Sequence, residues 1–188
     1  AEKMYRNTHK EPDEYLALLW YNRGNCLYRQ NKLEEATTLL LQSLSLLEKT
    51  GKTKRVKNAV LTCLAQIETQ QTHWTEAIQY ADAAVQSSAE HAGQQEVEIR
   101  IDALLLKGKI YRALYEATHD VPALEQARMA FSEADKALQI AIDNCFRDLD
   151  QFLLLKRSGE IAEQRIQVEC MQNGLQSTRA FEISEQAK

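Results

Sequence analysis

The residues best able to do chemistry are scattered. His9, His73, His91 and His119 stand far apart in the 188-residue chain, and none pairs at i, i+4 with another His or with a Cys. Two ligands on one helix face need that spacing, so no metal is expected. Cys26, Cys63, Cys145 and Cys170 form no C-x-x-C pair. No secretory leader or Asn-x-Ser/Thr acceptor accompanies them, so they are read as reduced thiols of a cytoplasmic or nuclear protein. Gly51-Lys52-Thr53 imitates the end of a phosphate loop. The earlier glycine it needs falls on Leu46, however, and no strand precedes it. Glu14, Glu34 and Glu35 are read as helix first-turn charges rather than paired acids. The basic run Lys49, Lys52, Lys54, Arg55, Lys57 is read as a solvated loop with helix-end lysines. No Ser/His/Asp arrangement can be argued from spacing. Neither enzymatic activity nor a cofactor is expected.

Composition points to a folded helical chain. Hydrophobic residues make up 44% and charged residues 27%, with only 6 Gly and 2 Pro. The net charge of −4 argues against a general nucleic-acid binder. No apolar run approaches the ~20 residues that span a bilayer. The chain opens at Ala1 inside a charged segment, as a piece of something longer would.

The apolar spacing predicts six helices in three pairs over 14–50, 54–90 and 95–144. A polar leader covers 1–13. Trp20, Gly24 and Leu27 share one helix face, and Leu33, Ala36, Leu40 and Leu44 share the next, with Asn31-Lys32 as the break between them. Thr50-Gly51-Lys52 closes the first pair. Thr72 is the expected N-cap of the fourth helix, and Asp120 that of the sixth, with Pro122 in its first turn. A loop is expected around Gly93. Residues 145–176 read as one or two further helices, broken or kinked at Gly159, with Ile161, Val168 and Leu175 recurring every seven residues. The tail 177–188 reads as loosely ordered. No strand-like alternation stands out.

Superposing the three pairs reveals a repeat. Gly24 aligns with Ala65 and Gly108, and Ala36 with Ala77 and Ala127. Leu40, Ala81 and Phe131 follow, then Ser43, Ala84 and Ala134. Trp20 aligns with Leu61 and Leu104, and Leu27 with Glu68 and Tyr111. On these residues the chain resembles the tetratricopeptide repeat (TPR) family, whose signature is W-x2-L-G-x2-Y followed by A-x3-F. The second-helix alanines lie 41 and then 50 residues apart, beyond the ~34 of a standard repeat. The chain is therefore similar to the long-repeat branch, with an insertion expected near 112–118. Glu68 is a poor match.

The resemblance implies an all-α solenoid of three helical hairpins with one or more C-terminal capping helices. First helices would line a concave groove that takes an extended or helical peptide. Carried over residue by residue, that wall comprises Tyr21, Asn22, Asn25, Tyr28 and Arg29, then Thr62, Gln66 and Thr69, then Asp102, Lys109 and Arg112. Leu18, Cys63, Gln70, Leu105 and Ala113 lie on the same faces. Amides suit a peptide backbone, tyrosines offer rigid area with a polar tip, and the charge set is mildly positive, favouring an acidic ligand. The carboxylate clamp of chaperone-binding repeats is not expected. Arg23-Gly24-Asn25 matches it in part, but Tyr21, Cys63 and Leu106 stand where its Lys, Asn and Arg belong. The function expected is a scaffold or adaptor for protein partners; the alternative is a peptide-sensing domain joined to an effector outside this chain. The C-terminal helices would either cap the last hairpin or mediate self-association.

Overall fold

The computed structural model describes residues 14–50, 54–89, 94–143 and 148–173. The expected leader, the closure at Gly51, the loop at Gly93, Leu175 and the tail 177–188 lie outside the described residues. The described chain is all-α, with seven helices: α1 (Glu14–Arg29), α2 (Leu33–Thr50), α3 (Lys54–Gln70), α4 (Trp74–Ala89), α5 (Gln94–Thr118), α6 (Val121–Asp143) and α7 (Asp148–Asn173). The residues expected to form an insertion simply lengthen a helix, because α5 runs unbroken for 25 residues to Thr118. α7 likewise continues through Gly159 without a break. One glycine costs a helix about 1 kcal/mol, which 26 residues of packed helix can absorb.

Turn chemistry separates the helices within each hairpin. α1 ends with the Lys32 N–H donating to the Leu27 carbonyl at 3.0 Å and the Asn31 N–H to Tyr28 at 2.8 Å. Asn31 takes the left-handed conformation, φ 60°, as this closure requires. α3 ends the same way: His73 N–H reaches the Glu68 carbonyl at 2.9 Å and Thr72 N–H reaches Thr69 at 3.1 Å. Here the left-handed residue is Thr72, φ 61°, a poor type for it because of its branched Cβ. This corrects the expectation for Thr72. It closes α3, and the carbonyl of His73 starts α4 by accepting the Ala77 N–H at 3.0 Å. The third turn has the His119 N–H (φ 56°) donating to Tyr115 at 2.7 Å and the Asp120 N–H donating to Thr118 Oγ1 at 3.3 Å. The Asp120 carbonyl then accepts the Ala123 N–H at 3.0 Å, at the start of α6.

By its internal contacts the chain divides into two compact units, Ala1–Ser88 and Ala89–Lys188. In the first, α3 packs against both α2 and α1; in the second, α7 packs against both α6 and α5. This stacking of each new helix on the hairpin before it is the packing of an α-solenoid. The aligned small residues mark the tightest contacts. Ala36, Ala77, Ala127, Ala81, Ala84 and Ala134 are fully buried, as are Leu40 and Phe131. A Cβ on Gly24 would sit 2.9 Å from Leu40 Cγ, and one on Gly108 only 2.4 Å from the Phe131 ring. Glycine is needed at both places because the facing helix comes too close for a methyl group. Ser43, the odd member of its aligned set, is buried and donates to the Ala17 carbonyl at 2.7 Å, tying α2 to α1.

Candidate functional site

Eight of the expected wall residues belong to the first unit. Tyr21, Asn25 and Tyr28 on α1 are half-buried, while Asn22 and Arg29 are exposed; Thr62, Gln66 and Thr69 on α3 are half-buried. α1 and α3 are packed together. Tyr21 and Tyr28 lie against the core cluster that contains Cys63. Cys63, expected on the open face, is buried instead, with 4% of its surface exposed. Its side chain fills the space beside the two rings. Gln70 bridges the helix ends by donating to Asn31 Oδ1 at 2.8 Å.

The thiol and the two phenols of this corner stay neutral. Burial pushes the Cys63 thiol up to about 11, with Arg29 pulling slightly the other way. A thiol is nucleophilic only as thiolate, so Cys63 is a packing group at neutral pH. Burial, then proximity to Cys63, also raises Tyr21 and Tyr28. Both phenols therefore stay protonated and able to donate hydrogen bonds. Thr69 gives its hydroxyl hydrogen to its own helix, at the Ala65 carbonyl 2.6 Å away. Asn25 and Gln66 have no side-chain hydrogen-bond partner among the described residues. At the base of α3, the poor match Glu68 is buried and holds His73 Nδ1 at 2.8 Å.

The remaining three wall residues belong to the second unit, where α7 engages them. Arg157 forms a two-pronged pair with Asp102, one arm at 3.1 Å. Lys109 bonds Glu160 at 2.6 Å. Arg112 bonds Gln167 and pairs with Glu116 at 3.4 Å. Lys109, Arg112 and Arg157 thus meet Asp102, Glu116 and Glu160, and the positive charge expected here is cancelled. Leu105, expected on the same face, is buried. α7 is also fastened to α6 through Arg165 with Asp135. No spacing within the chain signals the bonds between α5 and α7, because partners such as Asp102 and Arg157 are 55 residues apart.

Other hollows are shallow. One of about 400 Å³ lies on the first hairpin, lined by Trp20, Leu41, Gln42, Ser45, Leu46 and Lys49. Another of about 350 Å³ is lined by Glu98, Leu154, Lys156, Arg157 and Glu160. Among the described residues no three His, Cys, Asp or Glu side chains gather as a metal site would require. No described helix is long and apolar enough to cross a membrane.

Residues 17–49 match the model of the tetratricopeptide repeat. The α1–α2 hairpin, with Gly24 beneath Leu40, is that segment. The chain carries a tetratricopeptide repeat. TPR repeats are a protein-interaction scaffold type of fold. Among solved structures, the chain resembles YrrB, described as a TPR protein with an unusual peptide-binding site, at 15% identity and a TM-score of 0.38, over 100% of this chain and 90% of that one. No curated protein matches the sequence.

Proposed function

We propose that the α1–α3 wall of the first unit binds an extended or helical peptide segment of a partner protein, and that the chain serves as an adaptor built on TPR hairpins. The observation that carries this reading is the pair of half-buried amides, Asn25 and Gln66, without an internal side-chain partner and accompanied by two neutral phenols. Amides give and accept hydrogen bonds to a peptide backbone. Tyr21 and Tyr28 add area that is already ordered by packing, so little side-chain entropy is lost on binding. Arg29 is the cation of this wall and selects for one acidic or carbonyl group rather than for a highly acidic ligand. Asp102, Lys109 and Arg112 act in holding α7.

Selection of a random dodecapeptide library on the full chain provides the probe. Replacing Asn25 and Gln66 together by Ala should weaken the selected peptides at least tenfold while leaving the melting temperature unchanged. Equal affinity in a folded double variant would remove this wall from consideration.

A further inference from the structure

On α1, Trp20, Gly24 and Leu27 lie at i, i+4 and i+7, with Gly24 against Leu40 of α2; on α5, Leu104, Gly108 and Tyr111 have the same spacing, with Gly108 against Phe131 of α6. α7 repeats this with Leu155, Gly159 and Ala162, and Ile166 extends the stripe by a turn. The other sides of α7 are occupied. Arg157, Glu160 and Gln167 bond to α5, Arg165 pairs with Asp135 on α6, and Leu154, Ile161 and Val168 are buried. Along the stripe Leu155 and Gly159 are exposed, and Ala162 and Ile166 are half-buried. Leu155 is 56% exposed, and a Cβ at Gly159 would meet nothing within 4 Å. Glycine in an open helix interior is unfavourable, whereas beneath a closely packed second helix it is useful.

We propose that this stripe is a self-association surface, covered by α7 of a second copy running antiparallel. In a two-fold interface each contact must be made twice, i with j and j with i. The stripe has coiled-coil spacing, with Leu155 and Ala162 at d positions and Gly159 and Ile166 at a positions. An antiparallel copy sets Leu155 against Ile166 and Gly159 against Ala162, and each pair recurs by symmetry. The small pair at the centre allows the two axes to approach, and the large pair closes each end. Lys156 and the exposed Glu163 both stand at e positions on one edge. The antiparallel arrangement brings each lysine beside the other copy's glutamate, which gives two complementary ion pairs.

Sedimentation equilibrium of the full chain under reducing conditions tests this. A reversible dimer is expected. Leu155→Asp should weaken it at least tenfold without altering helicity or melting, because Leu155 already faces solvent. Lys156→Glu should weaken it, and Lys156→Glu with Glu163→Lys should restore it. A monomer at every concentration up to 1 mM, a dimer indifferent to Leu155→Asp, or a double charge reversal that fails to restore association would each overturn the proposal.

Discussion

The two units join α1 to α3 and α5 to α7 in opposite ways. In the first, α1 and α3 meet through neutral groups: two phenols, a buried thiol and an amide bridge from Gln70 to Asn31. In the second, α5 and α7 meet through two ion pairs, Asp102 with Arg157 and Lys109 with Glu160, and a charged hydrogen bond from Arg112 to Gln167. Charged partners satisfy one another and leave little for a ligand. Unpaired amides beside neutral rings keep their hydrogen-bonding capacity for something else. The same kind of helix contact therefore leaves open hydrogen-bonding groups in one unit and makes an internal fastening in the other.

The hairpin cores bear both walls, and the largest effects are expected there. Phe131→Ala should cost about 3–5 kcal/mol, measured by chemical denaturation, because the ring is fully buried over Gly108. Gly108→Ala should cost about 1–3 kcal/mol, more than Gly24→Ala. The rigid Phe131 ring lies 2.4 Å from the new methyl group, whereas the methyl on Gly24 meets the flexible side chain of Leu40 at 2.9 Å. Equal costs at the two glycines would mean that the hairpins are not packed as described.

Thr72→Gly should stabilise the first unit by about 1 kcal/mol, since it relieves a branched residue at φ 61°. Asn31→Gly should not stabilise the unit, because asparagine already tolerates this conformation and the change removes the acceptor of the Gln70 bond. Asp102→Ala should cost at most about 1 kcal/mol, since the carboxylate is half exposed. Its clearer signature is selective: faster amide exchange in α7, an effect that 1 M salt should reproduce there while leaving α3 unchanged. Exchange that rises equally in both helices would erase the contrast between the two walls. Cys63 supplies a pH test. Its thiol is raised on folding, so the stability it contributes is present below pH 9 and is lost as pH climbs toward about 11. Cys63→Ala should flatten that part of the denaturation profile.

Much of the hairpin architecture was legible because it rests on local periodicity. Gly24, Ala36 and Leu40 announce their packing by spacing alone, and their counterparts 41 or more residues later repeat it. Thr72 was misread because a polar residue before a helix resembles an N-cap, and only the backbone reveals a left-handed closure of the preceding helix. The resemblance places Cys63 and Leu105 on an open face, but both are buried. The roles of Asp102, Lys109 and Arg112 were hidden for another reason. Their partners on α7 are Arg157, Glu160 and Gln167, and bonds between distant segments leave no pattern in a single chain. Gly159 reads as a helix breaker when isolated, yet α7 passes straight through it.

The most direct test of the peptide-reading wall is a nuclear magnetic resonance titration of the full chain with the selected dodecapeptide. The account predicts saturable shifts at Tyr21, Asn25, Tyr28 and Gln66, with Asp102, Lys109 and Arg112 unmoved. Shifts confined to those three charged residues, with the α1–α3 signals unchanged, would contradict it.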